Sequence, residues 1–239
     1  MILYHGSNTQ NIDILKPNLA DHDRPYVYMS TLEVVAAFYL CNAVKRPYYW
    51  FPYGFDKETG VPVYHEIYPN ALKEVAEGVS GSIYMVECEE ADVLPFKNIP
   101  VARLATQPMK VLKEIKVNNA YDLLMDYVTQ GKMKVSRFEE KTEKAIANWH
   151  GMVLSYIKEK NMIETPDCSY ALFVKEKLPQ VWRQYEKECN TCINYWAVGF
   201  LWCDICNTSG DKSGRRDDHR MQGFGGRTAN GSKYCVQDT

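Results

Sequence analysis

The hydrophobic pattern of this chain changes near residue 118, and this change constrains the fold more than any other feature. Before it, short strand-like and helix-like segments alternate, and after it the segments are longer and amphipathic. Alternating short elements are typical of α+β domains, whereas successive amphipathic helices pack against one another. We therefore predict an α+β fold over residues 1–118, followed by a helical appendage over 119–187.

Several elements of the first region follow from local pattern and turn residues. A strand at 2–4 runs into His5-Gly6-Ser7, and a second strand at 26–28 precedes a helix capped by Ser30 or Thr31. Residues 32, 35, 36, 39 and 40 form one apolar face of that helix. Alternation predicts further strands at 82–86 and 109–117, and a short helix is predicted at 70–77, closed by Gly78.

The second region predicts three helices, at 120–130, 139–160 and 170–187. A cysteine-rich segment follows at 188–206. From 207 to 239 the chain is rich in Gly, Ser, Asp and Arg and poor in apolar residues. Such a composition buries too little surface to offset the entropy of ordering, so we predict a disordered tail.

Charge and cysteine content narrow the class of protein. The net charge is −2, so the chain carries no general basic field that would gather nucleic acid. We find no secretory leader in the first residues and no apolar stretch of the ~18 residues that a membrane helix needs. Eight cysteines without a leader favour a reducing compartment. The expectation is a cytoplasmic protein with no membrane partner.

Three features near the N-terminus suit a nicotinamide site. His5 and Gly6 follow a strand, Tyr28 lies at a second strand, and Tyr39 is placed on the next helix with ten residues between the two tyrosines. Tyrosine faces can clamp a flat cationic ring by stacking and cation–π attraction. Glycine allows close approach of a carboxamide, and a histidine can hydrogen-bond ribose hydroxyls.

This ordered set resembles the diphtheria-toxin and poly(ADP-ribose) polymerase class of ADP-ribosyltransferases, labelled His-Tyr-Glu after its signature residues. The resemblance covers residues 1–118 and implies a split antiparallel sheet with NAD⁺ as substrate. It implies that His5 holds the nicotinamide-side ribose, Gly6 the carboxamide, and Tyr28 and Tyr39 the ring, with Ser30 supporting the pocket. The adjoining residues counted in the binding site are Ser7 and Thr31.

The sequence departs from this class at the third signature residue. The class places a glutamate at the start of a late strand, where it binds a ribose hydroxyl and stabilises positive charge as nicotinamide leaves. The residue before the strand predicted at 109–117 is Gln107, which keeps a hydrogen bond but lacks the charge. Glu87, Glu89 and Glu90 are alternatives if the carboxylate comes from the earlier strand.

The resemblance implies transfer of a single ADP-ribose from NAD⁺ to a macromolecular acceptor, either protein or nucleic acid. That would make the protein a glycosyltransferase of pentosyl groups. The resemblance also allows a separate antitoxin or regulatory partner that would silence the activity, and the sequence does not identify one. A rival from another class is an inactive NAD⁺ or ADP-ribose binding module, suggested by Gln107. RNA 2′-phosphotransferase, which shares the fold, ranks lower because it needs an Arg- and His-rich phosphate site.

Four cysteines in two Cys-x2-Cys pairs raise a separate possibility. Zinc favours four thiolates in a tetrahedron, and such pairs can deliver them. The intervening residues are unusually apolar, and the pairs lack the glycines of typical knuckle turns. A zinc site and plain structural cysteines therefore both remain open, the candidate ligands being Cys189, Cys192, Cys203 and Cys206.

Overall fold

The computed structural model describes residues 1–19, 24–41, 53–96 and 99–197, and of residues 190–197 it describes the backbone alone. The described chain forms two compact units. The first is Met1–Lys141, and the second begins at Thr142. The boundary therefore lies 23 residues beyond the predicted one at 118, since 141 − 118 = 23.

The first unit contains all the described strands together with three helices. The strands are β1 Ile2–Ser7, β2 Ile14–Leu15, β3 Val27–Ser30, β4 Tyr53–Phe55, β5 Pro62–His65, β6 Gly81–Glu87, β7 Leu94–Phe96, β8 Ile99–Ala105, β9 Met109–Lys110, β10 Lys113–Val117 and β11 Lys134–Ser136. The helices are α1 Glu33–Phe38, α2 Ala71–Ala76 and α3 Ala120–Thr129.

The strands form three sheets. Six of them make one sheet in the order β10-β6-β1-β3-β8-β7, in which every neighbouring pair is antiparallel. A three-stranded sheet has the order β11-β5-β4, and its β5–β11 pair is parallel. The short strands β2 and β9 pair antiparallel. The predicted α+β class with a mainly antiparallel sheet is confirmed.

The two neighbours of the central strand β1 differ in how they pair with it. Toward β6 the register is continuous over six residues, from Ile2 opposite Glu87 to Ser7 opposite Ser82. Toward β3 the register is given by Tyr4 opposite Ser30. The six-stranded sheet is therefore joined tightly on the β6 side of β1 and narrowly on the β3 side.

Each face of this sheet is covered by different elements. On one face, residues of β1, β3 and β6 pack with β2 and β9 in an apolar cluster that includes Leu3, Met29, Tyr84, Leu15 and Met109. Helix α1 packs against β1 from the side of Gly6. Alternation of side chains along a strand places Leu3 and His5 on the first face and Tyr4 and Gly6 on the second.

The second unit is helical over its described residues. Its helices are α4 Glu143–Glu159, α5 Ser169–Lys177 and α6 Pro179–Ala197. Thr142 caps α4, accepting a hydrogen bond from the amide of Ala145. Aromatic residues dominate the interior, and Trp149, Phe173, Trp182 and Tyr185 are all buried. The three helices thus bury their apolar faces against one another, as their amphipathic patterns require.

The structure corrects three sequence-based boundaries. The helix predicted after Ser30 has six residues, and Tyr39 is the residue that ends it. The strand predicted at 109–117 is broken into β9 and β10. The helix predicted at 170–187 is two helices, because Pro179 disfavours helical backbone at the residue before it. The tail at 207–239 lies outside the described residues.

Candidate functional site

His5 lies at the narrow junction between β1 and β3. Its ring is half-buried, and Nδ1 lies 2.7 Å from the carbonyl oxygen of Tyr28. A carbonyl can only accept, so Nδ1 carries the proton and Nε2 presents a lone pair. Burial lowers the pKa of His5, and the bond to Tyr28, which acts in the opposite direction, has the smaller effect. The ring is therefore neutral at pH 7, with Nε2 as an acceptor.

Nε2 makes no hydrogen bond to any residue in the described part of the chain. The sequence allowed either tautomer, and the structure selects one. Because the selected nitrogen is an acceptor, its natural partner is a hydroxyl or an N–H group. A ribose hydroxyl has that chemistry, whereas a phosphate oxygen does not.

Gly6 is fixed by the close approach of a helix. A Cβ built on Gly6 would lie 1.9 Å from the carbonyl oxygen of Ala36 in α1. No side chain fits there, so glycine is required for α1 to pack on β1. The neighbouring Ser7 is half-buried, and its hydroxyl accepts a hydrogen bond from the amide of Thr9 at 3.1 Å. The predicted role of Gly6 in binding a carboxamide is thus accompanied by a packing role.

Ser30 and Thr31 shape the turn from β3 into α1. The Ser30 side chain is buried, and its hydroxyl accepts from the amide of Leu32 at 3.0 Å. The amide of Thr31 donates to the carbonyl of Val101 at 2.8 Å, which ties this turn to β8. These bonds satisfy amides that would otherwise be unpaired at the start of a helix. The predicted supporting role of Ser30 corresponds, in the structure, to support of the helix entry.

The ring of His5 meets the backbone of Tyr28 rather than its ring. Val27 and Met29, the neighbours of Tyr28 along β3, pack in the cluster on the His5 face. Alternation along the strand therefore directs the Tyr28 ring to the opposite face, on which α1 lies. There its ring meets that of Tyr26 edge-on, with centroids 6.1 Å apart.

Tyr39 ends α1 on the same face. Its side chain is 37% exposed, and it is hydrogen-bonded to the side chain of Tyr53 in β4. The structure thus brings Gly6, Tyr28 and α1 to one side of the β1–β3 junction, and the His5 ring to the other. That His5, Tyr28 and Tyr39 line one ligand pocket stays a prediction.

The candidate carboxylate positions are dispersed. Gln107 is exposed in the connection between β8 and β9. Glu87 is exposed at the far end of β6, opposite Ile2, and belongs to the face opposite His5. Glu89 and Glu90 are exposed at a single 3₁₀ turn, where the carboxylate of Asp92 caps the amide of Glu89. None of these four side chains pairs with His5.

Glu114, a carboxylate that the sequence did not single out, lies in the same cross-strand row of side chains as His5. Tyr84 of β6 is opposite His5, and Glu114 of β10 is opposite Tyr84. Residues paired in this way in antiparallel strands project from the same face. The rings of His5 and Tyr84 have centroids 6.4 Å apart. Two strand spacings put Glu114 about 10 Å from His5 along the row.

Glu114 is held by two donors through one oxygen, with the hydroxyl of Tyr84, which donates to the carbonyl of Thr9 at 2.8 Å, close by. Its Oε1 accepts from the amide of Asn11 at 2.9 Å and from the hydroxyl of Ser82 at 2.6 Å, and it lies 3.3 Å from the hydroxyl of Tyr84. The bond from Asn11 is the main cause that lowers the pKa of Glu114. The carboxylate is therefore charged at neutral pH, and it anchors the loop that follows His5-Gly6-Ser7.

The cysteines of the proposed zinc site are described only in part. Cys189 is half-buried in α6. Cys192 lies in the same helix, but its side chain lies outside the described residues, as do Cys203 and Cys206. Within the described ranges, three or more potential ligands do not cluster anywhere.

Among the described helices, none has the length and apolar character needed to cross a membrane. Comparison of the chain with protein-family profiles, with curated proteins and with solved structures finds no match.

Proposed function

We propose that the first unit binds NAD⁺ in the manner of an ADP-ribosyltransferase and transfers ADP-ribose slowly. The observation that carries this proposal is the 2.7 Å contact between the His5 ring and the Tyr28 carbonyl. It joins two motifs that are 23 residues apart in the chain. The narrow β1–β3 junction beside it is consistent with the split antiparallel sheet that the resemblance implies.

The ribose contact follows from the tautomer of His5. A ligand crossing the β1–β3 junction meets Nε2 of His5 on one side. A ribose hydroxyl donates to this nitrogen without any proton transfer, because the ring is already neutral. Since Nδ1 is bonded to Tyr28, the ring is held in place before the ligand arrives, which reduces the entropy that binding would otherwise cost.

The nicotinamide ring belongs on the other side of the junction. Gly6 lies there beneath α1, and Tyr28 and Tyr39 are the two aromatic residues that the sequence motif supplies. A cationic pyridinium ring is attracted to tyrosine faces by about 0.5–2 kcal/mol at sites of this kind. Because the nicotinamide nitrogen is bonded directly to the ribose, both groups would lie at the β1–β3 junction itself, with His5 and the tyrosines reaching them from its two faces.

The rate of transfer depends on negative charge near the ribose. Loss of nicotinamide leaves an oxocarbenium-like centre, and a direct carboxylate contact is worth about 10²–10³ in rate. Glu114, about 10 Å away along the row, is too far for direct contact, and solvent screens its charge. Turnover is therefore slow, and the protein acts first as a binder.

The geometry at His5 also separates this proposal from RNA 2′-phosphotransfer. A phosphate group needs donors or positive charge, whereas Nε2 of His5 is a neutral acceptor. Burial keeps its pKa low, so the ring does not become a cation at neutral pH. A hydroxyl-bearing sugar is the better ligand for this position. The macromolecular acceptor of ADP-ribose is either a protein or a nucleic acid.

The proposal is tested by titrating the protein with NAD⁺ and with nicotinamide alone, for wild type and His5→Ala. We expect His5→Ala to weaken NAD⁺ about fivefold, the value of one hydrogen bond, and to leave nicotinamide affinity unchanged. His150→Ala in α4 is the matched control. Labelled NAD⁺ incubated with a cell extract then reports nicotinamide release and label transfer. A wild-type protein that binds no NAD⁺ would refute the proposal.

A further inference from the structure

Ser136 and Lys141 form a hydroxyl–amine pair at the end of β11, apart from the site at His5. Nζ of Lys141 lies 2.8 Å from Oγ of Ser136, 2.6 Å from the Ser136 carbonyl oxygen and 3.2 Å from that of Arg137. A single 3₁₀ turn, Phe138–Glu140, brings Lys141 back beside Ser136. The amide of Glu66 donates to the same Ser136 carbonyl at 3.0 Å. The pair is therefore held in place by the backbone on both sides.

The three oxygens around Nζ suit a neutral amine as well as an ammonium ion. An ammonium ion donates one proton to each oxygen. A neutral amine has two N–H groups and one lone pair, so it can donate to the two carbonyls and accept from the Ser136 hydroxyl. A proton can therefore pass from Oγ to Nζ without any movement of the lysine side chain. In this arrangement a lysine can act as general base toward a serine.

The surroundings of Lys141 make its ammonium ion easier to deprotonate. The side chain is half-buried, and burial lowers the pKa of Lys141 by more than the carboxylates of Glu66, Glu140 and Glu139 raise it. His65 of β5 is paired with Ser136, and side chains so paired project from the same side of a sheet. Burial lowers the pKa of His65 to about 4, with a smaller effect of Lys141, so its ring is uncharged at neutral pH.

We propose that Ser136 is a nucleophile activated by Lys141 and that the pair hydrolyses carboxylic esters. Oγ adds to the ester carbonyl carbon as its proton passes to Nζ, and Nζ then gives this proton to the departing alcohol. The acyl group is now esterified to Ser136. Water adds to the acyl carbon and gives a proton to Nζ, which returns it to Oγ as the carboxylic acid leaves. This activity does not depend on the proposed binding of NAD⁺.

The test measures the burst of p-nitrophenol from p-nitrophenyl acetate, and labelling by a fluorophosphonate that peptide mass spectrometry locates. We expect wild type to be labelled at Ser136, and Ser136→Ala to show neither burst nor label there. Lys141→Arg keeps N–H donors for both carbonyls but cannot accept a proton. It should slow acylation at least ~100-fold, the usual contribution of a general base. Ser169→Ala removes an exposed serine hydroxyl from α5 and should behave as wild type.

Three outcomes would overturn the inference. If wild type is not labelled at Ser136, the pair only closes the end of β11. If Lys141→Arg reacts as fast as wild type, Lys141 is not the base. If His65→Ala abolishes the reaction while Lys141→Arg keeps it, the base is His65. Thermal melts show which variants are folded, and Lys141→Gln, whose amide also donates to carbonyls, is the second comparison if Lys141→Arg is not.

Discussion

At the scale of single residues, the site is defined by which atoms are already committed to other bonds. Nδ1 of His5 is committed to the Tyr28 carbonyl, and Oε1 of Glu114 receives hydrogen bonds from Asn11 and Ser82. Each side chain has one further atom that can contact a ligand. On His5 this atom is Nε2, a neutral acceptor, and on Glu114 it is the second carboxylate oxygen. Their chemistry is therefore narrower than the residue types alone suggest.

On the proposed function, we expect Gln107 and Glu114 to contribute differently to turnover. If Gln107 occupies the position of the class glutamate, its amide holds the ribose but cannot balance positive charge. We expect Gln107→Glu to raise NAD⁺ hydrolysis at least tenfold, since a preorganised charge is worth about 10²–10³ when it makes direct contact. NAD⁺ affinity should stay within about twofold. Rates of nicotinamide release under saturating NAD⁺ give the comparison.

Thr106→Glu, one residue earlier in the same exposed connection, is the control for added charge in general. If neither variant changes the rate while Glu114→Gln lowers it, then Glu114 supplies the charge through space. If Thr106→Glu and Gln107→Glu accelerate equally, position 107 has no special role.

Sequence alone located His5, Gly6 and Tyr28 from the local pattern around them. The structure places them within β1 and β3 and brings the His5 ring into contact with the Tyr28 backbone. Glu114 could not be found in this way. Its significance depends on the register of β10 against β6 and of β6 against β1, and register is set by long-range pairing that a local pattern does not contain. The orientation of Tyr28 was missed for the same reason.

At the scale of elements, the approach of α1 to β1 is the tightest contact involving a glycine. We expect Gly6→Ala to destabilise the protein by about 1–3 kcal/mol, because its Cβ would meet backbone that cannot rotate away. Gly54→Ala in β4 is the matched control, since the nearest atom to its Cβ is 3.7 Å away. Urea unfolding measured for both variants tests this. Equal stabilities would contradict a rigid contact between α1 and β1.

Elements that are bounded by clear turn or helix-stop residues were predicted well. Helix α2 ends shortly before Gly78 and α3 shortly before Gly131, both with the positive φ that a helix stop of this kind uses. Strand β6 differs from its prediction by one residue at each end. The strands β8 and β11 were missed because neither alternates clearly, and β11 is stabilised by pairing with β5 rather than by its own sequence.

At the scale of the whole molecule, the position of the unit boundary has a direct test. A fragment of residues 1–141 contains every described strand, whereas a fragment of 1–118 lacks β11 and α3. We expect the longer fragment to fold cooperatively and to bind NAD⁺. The shorter one should not, because it leaves β5 unpaired on one side and the carboxylate of Glu66 buried without Arg137. Circular dichroism melts and NAD⁺ titration distinguish the two.

If the fragment of 1–118 folded as well as the longer one, the β5–β11 pair would be an addition to the unit rather than part of it. If the fragment of 1–141 failed to fold, the second unit would be needed for the first. Either result would change the assignment of the boundary at Lys141.

The parallel pairing of β5 with β11 also governs the order in which the chain can fold. Glu66 and Arg137, which form the ion pair beside these strands, are 71 positions apart. Contacts so distant in sequence form late, since the intervening loop must close first. During synthesis, therefore, the N-terminal unit stays incomplete until its last strand has left the ribosome, and a pause in translation before that point exposes an open strand edge to other chains.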